Sequence, residues 1–246
     1  MHDQQTSALC NDENVCMLMG ESHFERLRRP EYQEIRSKYV SSWLNHGIGG
    51  DAAENILWRT QQGCVHPRST KIILSAGTNN VGRDPPRAIA ATVLQLIKET
   101  RRVAPNATVM VLGILPRKVR GTHPQDSAAA INKANSLIKA GITDDKVNFY
   151  QPNPRLGKPC SMQYFERDGV HLNVKGYQVL FDDLLPFMEK SNSPSMAIGA
   201  TGAAETTATT VQTTSVPKTA AEINFICFML IIMVGIIVSQ LIANYC

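Results

Sequence analysis

Four short apolar runs, separated by segments of helical length and pattern, restrict this chain's fold more than any other feature. They read "VCMLMG" (15–20), "TKIILSAG" (70–77), "ATVMVLGILP" (107–116) and, more weakly, "KVNFYQP" (146–152). The segments between them carry helical spacing over 51–59, over 86–103 with Pro86 early and Ile89, Val93, Leu96 and Ile97 in register, and over 127–140. A last helix, "NVKGYQVLFDDLLPFMEK", starts at an Asn cap. Strands that are apolar throughout and alternate with helices predict an α/β domain whose parallel sheet is covered on both faces. With 246 residues, 43% of them hydrophobic, the chain has material for one sizeable core. Open sheets of this kind carry their chemistry at the carboxyl ends of the strands, where Ser22, Gly77 and Pro116 fall.

Ser22 closes "VCMLMGES" just past a strand end, at the start of a helix whose first-turn N–H groups can receive an anion. Two roles fit that position: helix cap or nucleophile. A nucleophile needs a base, a group that orients the base, and oxyanion donors. "FERDGVHLN" supplies Asp168 and His171 three residues apart, so that one turn can aim the carboxylate or the carbonyl of Asp168 at the imidazole. Of the other histidines, His23 adjoins Ser22 but points away from it if both are helical, and His46, His66 and His123 lack a well-spaced carboxylate, apart from Asp126 after His123. Gly50 in "NHGIGGD" offers an unobstructed N–H, and Asn79 in "SAGTNN" offers a side-chain amide.

Ser, Gly, Asn and His in separate blocks and in this order resemble the SGNH (GDSL-like) hydrolases. Ser22 stands in "MGES" where that family reads G-D-S, Gly50 in "GIGGD", Asn79 in "GTNN", and Asp168 and His171 in "DGVH" for the D-x-x-H block. "NHGIGGDAAENILWR", "SAGTNNV" and "VLGILPR" are further similar to the catalytic subunits of the intracellular platelet-activating-factor acetylhydrolases. The resemblance covers roughly 15–188. It implies a flavodoxin-like three-layer α/β/α sandwich and an ester hydrolase with no cofactor and no metal. In that reading Ser22 is the nucleophile, His171 its general base and Asp168 the orienting acid. The oxyanion hole is the N–H of Ser22, the N–H of Gly50 and the amide of Asn79. The implied substrate is a short acyl ester, acetyl-like, on a lipid or a carbohydrate, with a homodimer left open.

Two residues depart from the family pattern. Glu21 replaces the aspartate before the nucleophile and adds a methylene beside Ser22, which bears on how that turn is braced. Asn80 replaces the Asp of G-x-N-D, as it does in the acetylhydrolase-like members. The alternative function is a catalytically inactive binding module of the same fold, holding an acylated glycan or lipid. The chain has no G-x-S-x-G elbow, Walker A, H-E-x-x-H or G-x-G-x-x-G motif, so readings based on those motifs have no support.

The formal charge of +4 argues against nucleic acid as a partner, being weak and unclustered. Lys218 against Glu205 and Glu222 leaves the tail from Ser191 at −1 and the first 190 residues at +5. The six cysteines show no C-x-x-C pair or metal spacing, and those of the domain read as free thiols.

The expected organisation is an N-terminal stretch over 1–14, the hydrolase-like domain over 15–190, a Ser/Thr/Ala-rich linker over 191–222 and a membrane anchor over 223–246. Phe225 to Ala243 holds no charge and spans 19 residues, against the roughly 20 a bilayer helix needs. Absence of a signal-peptide pattern in "MHDQQTSALCNDENV" predicts a tail-anchored protein with a cytosolic domain. The mucin-like linker and the Asn106-Ala107-Thr108 sequon point instead to an extracellular domain, should a signal peptide precede this start. A lipid-anchor signal would need the same leader.

Overall fold

Strands β1 (Val15–Gly20), β2 (Leu44–Gly47), β3 (Ser69–Ser75), β4 (Thr108–Leu112) and β5 (Val147–Tyr150) form one parallel sheet in the order β2-β1-β3-β4-β5. This computed structural model describes residues 15–118, 127–157 and 163–189. All described residues lie in one unit, within Met1–Pro194. The strand order is that of a flavodoxin-like sheet, with its switch point between β1 and β3.

Strand residues alternate between two cores, as a pleat of period two requires. Met17, Met19, Ile72, Leu74, Val109 and Val111 face one side, under α3 (Ala53–Arg59), α4 (Pro86–Val103) and α5 (Ala128–Gly141). Leu18, Ile73 and Leu112 face the other, under α1 (Ser22–Glu25), α2 (Gln33–Tyr39) and α6 (Val174–Glu189). Helix α4 buries Ile89, Ala90, Val93, Leu96, Ile97 and Thr100, one stripe at helical spacing. Each large apolar side chain so removed from water contributes about 1.5–3 kcal/mol before chain entropy is counted. The result is the expected three-layer sandwich.

The element boundaries differ from expectation for identifiable reasons. Helix α3 starts at Ala53, not Asp51, because Asp51 is held outside it: its carboxylate takes Arg59 Nε at 2.8 Å and its carbonyl accepts Asn79 Nδ2 at 2.9 Å. Ser127 caps α5 by accepting the Ala130 N–H at 3.1 Å, and Asn173 accepts the Gly176 N–H at 3.0 Å at the head of α6. Strand β2 and helix α2 were not expected from the sequence pattern. The polar "LNHG" pairs with β1 from Met17↔Leu44 to Gly20↔Gly47, while Arg28 donates to the carbonyls of Asn45 (2.5 Å) and Gly47 (2.8 Å).

Residues 1–14, the expected linker over 191–222 and the expected membrane anchor over 223–246 lie outside the described residues, as do His123 and Asp126. Among the described residues, no helix is long and apolar enough to cross a membrane. Cys16 and Cys64 are free thiols.

Candidate active site

The chain leaves β1 at Gly20 and turns directly into α1, whose N-cap is Glu21 and whose first residue is Ser22. Ser22 is therefore not the cap. Its Oγ lies 2.8 Å from Nε2 of His171.

His171 is delivered by a closed loop between β5 and α6. Phe165 and Leu172 form an antiparallel bridge, the Glu166 N–H donates to the His171 carbonyl at 2.8 Å, and the Gly169 N–H donates to the Glu166 carbonyl at 2.9 Å. Within it, the Oδ1 atom of Asp168 accepts the N–H groups of Val170 (2.9 Å) and His171 (3.0 Å). Asp168 Oδ2 stands 2.6 Å from His171 Nδ1, and Arg26 Nη2 donates to the same oxygen at 3.3 Å. The carboxylate, not the carbonyl, is thus the group turned to the imidazole.

Electrostatics fix the proton positions. Burial alone would raise the pKa of Asp168, but the N–H groups of His171 and Val170 and the His171 ring hold it well below the usual carboxylate range. An ionised Asp168 only accepts, so His171 carries its proton on Nδ1 and offers Nε2 as acceptor to the Ser22 hydroxyl. Burial pushes the His171 pKa down; Asp168 opposes this, while His23 and Arg26 add to it. A neutral imidazole in contact with a serine is arranged to take its proton.

The two remaining predicted residues lie in loops bound to each other and to the end of β1. Ile48 donates to the Gly20 carbonyl at 3.1 Å, and the Asp51 N–H closes a tight turn on the Ile48 carbonyl at 3.3 Å. Gly50 is the third residue of that turn with φ +84°, a left-handed conformation that favours glycine, and a Cβ there would meet nothing within 4 Å. Asn79 lies in a single turn, Thr78–Asn80, and its Nδ2 spends one N–H on the Asp51 carbonyl. Asn80, at the departure from G-x-N-D, accepts the Ala53 N–H at 2.9 Å and donates to Glu54 and Asp84.

Sequence reasoning missed two contributors. Arg59, 8% exposed, donates to the Asp51 carboxylate and also to the carbonyls of Gly20 (3.2 Å) and His46 (3.3 Å), joining the ends of β1 and β2 to the Gly50 turn. The "LWR" segment contained it, but an arginine on an amphipathic helix normally reads as surface. His23 makes its side-chain contacts with Glu21 and the Val170 carbonyl; it is buried and its ring centroid stands 5.6 Å from that of His171. Glu21 is fully buried beside it, with Oε1 2.7 Å from His23 Nδ1 and 2.9 Å from the donating Ser75 Oγ. Among the described residues, no three or more His, Cys, Asp or Glu side chains are grouped as metal ligands.

Known proteins resemble this chain to different depths. Platelet-activating factor acetylhydrolase IB subunit alpha1 of Bos taurus is 33% identical over 140 residues, 54% of this chain and 58% of its own length, so the match spans little more than half of that relative. The IB subunit beta homolog of Drosophila melanogaster is 35% identical over 129 residues, covering 51% of this chain and 56% of its own. Among solved structures, an acetylxylan esterase of Geobacillus stearothermophilus, Axe2, superposes with a TM-score of 0.54 at 15% identity, over 75% of this chain and 97% of its own. A GDSL-like lipase of Bacteroides thetaiotaomicron does so at 0.59 and 19%, over 72% and 88%; at such identities the likeness is one of fold. The model of the GDSL-like lipase/acylhydrolase family matches residues 25–179, well over half of the chain and inclusive of Gly50, Asn79, Asp168 and His171, and the chain belongs to that family.

Proposed function

We propose that this protein is a serine ester hydrolase in which Ser22, His171 and Asp168 carry the reaction. The observation that supports it best is the continuous line of contacts, 2.6 Å from Asp168 to His171 and 2.8 Å from His171 to Ser22. Ser22 Oγ would attack the acyl carbonyl while His171 Nε2 takes its proton. The same proton would then go to the leaving alcohol, and Asp168 would hold the ring and stabilise the imidazolium between these steps. Water would release the acyl group by the same route in reverse. The N–H of Ser22, the N–H of Gly50 and the amide of Asn79 would meet the oxyanion, each typically contributing about 3–4 kcal/mol of transition-state stabilisation.

A short acyl group, acetyl-like, is the substrate class we assign, on a lipid or a carbohydrate. Support comes from the names of the relatives above 30% identity, which are acetylhydrolases. The uncharged run from Phe225 to Ala243 supports a membrane anchor, which would favour an ester presented at a bilayer. Resistance of the full chain to alkaline extraction from membranes tests the anchor, and protease access to the domain in sealed vesicles gives its side.

The esterase reading is tested by initial rates of the full-length chain in detergent on p-nitrophenyl acetate and longer acyl esters, beside Ser22→Ala and His171→Ala. Activity lost in both variants, with highest kcat/KM for acetate, is the expected result. Equal background rates in three folded proteins would overturn it in favour of an inactive binding module.

A further inference from the structure

Ser22 is flanked by two buried titratable side chains that the proposed reaction does not use. Glu21 is 0% and His23 is 2% exposed. His23 Nδ1 contacts the Oε1 atom of Glu21 at 2.7 Å and Nε2 contacts the Val170 carbonyl at 3.2 Å. A carbonyl can only accept, and Glu21 Oε1 already accepts the Ser75 hydroxyl, so both imidazole nitrogens face acceptors. A ring that donates from both nitrogens is an imidazolium. The other oxygen of Glu21, Oε2, is buried without a hydrogen-bond partner, so the carboxylate needs a counter-charge at hand.

We propose that Glu21 and His23 form a buried carboxylate–imidazolium pair that positions His171, clamping it through the Val170 carbonyl and favouring its neutral form through the charge 5.6 Å away. This rests on the reading of His171 as the general base. The geometry gives each residue a separate task. The longer arm of Glu21 spans from Ser75 on β3 to His23 on α1, and His23 reaches from there to the residue before His171. A positive ring beside His171 makes its protonation less favourable, in the direction the His171 pKa takes.

The other charged or titratable groups around the pair are Asp168, on the His171 loop, and Arg26 and Glu25, just after Ser22. Tyr177 closes it from the α6 side, its hydroxyl donating to the His23 carbonyl at 2.5 Å, and Tyr32 packs edge-on against the Tyr177 ring. Asp168 favours protonation of His171, and Arg26 opposes it.

The test uses the full-length chain labelled with 15N-histidine in detergent micelles, observed by imidazole nitrogen shifts from pH 5 to about pH 9, with His23→Gln for assignment. Where His171 shows one protonated nitrogen, His23 should show two, one for each of its acceptors. In His23→Gln the His171 titration and the acid limb of kcat/KM should both move to higher pH by about one unit, read as about a tenfold loss of rate below the limb. Glu21→Gln, which keeps the shape, should leave His23 with one protonated nitrogen, and Glu21→Asp should restore neither contact fully. A neutral His23 in the unsubstituted protein at pH 6–8, or a His171 titration unmoved in folded His23→Gln, would overturn the pair. The nitrogen shifts do not depend on turnover: a moving His171 with no ester hydrolysed would fail the esterase reading alone, and an active esterase with unmoved His171 would fail the pair alone.

Discussion

Ser22 Oγ and His171 Nε2 meet at 2.8 Å although 149 residues separate them in the chain. One arrives on the turn that leaves the second strand of the sheet order, the other on a loop closed on itself just before the last helix. Asp168 Oδ1 is spent on the N–H groups of Val170 and His171, which leaves Oδ2 aimed at the imidazole. Asp168→Asn should therefore preserve the fold while presenting the ring with an amide and the wrong tautomer. We expect kcat to fall about 10⁴-fold on p-nitrophenyl acetate, with KM little changed, as in other triads. A loss under tenfold in a folded protein would place Asp168 outside the reaction.

The pH dependence follows from the same contacts. His171 titrates below the ordinary value of about 6.5 because it is buried, and it must be neutral to act. The acid limb of kcat/KM should lie below pH 6.5 with the slope of one proton, since Asp168 stays ionised throughout that range. Stability should change on the acid side as well. A base with depressed folded pKa binds its proton more readily when unfolded, so stability falls as pH drops from about 6.5 towards the folded value. Asp168, depressed as a carboxylate, contributes stability that is complete above about pH 4 and is lost as pH falls through its folded value. Urea midpoints against pH, compared between the unsubstituted protein and His171→Gln, separate the first contribution from the second.

Arg59 is expected to matter more than its place on an amphipathic helix suggests. Its guanidinium joins Asp51, Gly20 and His46, so its removal leaves a partly buried carboxylate unpaired and two strand ends untied. Arg59→Met should cost about 3 kcal/mol in urea unfolding. Arg59→Lys should recover little, because an ammonium cannot reproduce the planar fork that reaches three partners.

Legibility from sequence followed how local each signal was. Helix α4 was readable to the residue because Pro86 opens it and one stripe of Ile, Val and Leu faces a single core. Strand β2 was not, since nothing in Leu-Asn-His-Gly favours a strand; its place is set by pairing with β1 and by Arg28. Asp168 and His171 were readable because three residues suffice to bring a carboxylate under an imidazole. The roles of Arg59 and His23 were invisible, because their partners are distant in sequence: Gly20 lies 39 residues from Arg59 and Val170 lies 147 from His23.

Gly50 gives a test in which stability and chemistry come apart. Gly50 (φ +84°) and Gly63 (φ +87°) are both left-handed, and a Cβ at either meets nothing within 4 Å. Alanine at either position should therefore cost only backbone strain, about 1–2 kcal/mol, lowering Tm by a few degrees in both. Gly63 sits in the turn after α3, whereas Gly50 holds the N–H we assign to the oxyanion. Gly50→Ala should lower kcat about 10²-fold as that turn shifts, and Gly63→Ala should leave kcat within twofold. Equal kcat in the two variants at equal Tm would remove Gly50 from the oxyanion hole and leave its glycine explained by the turn alone.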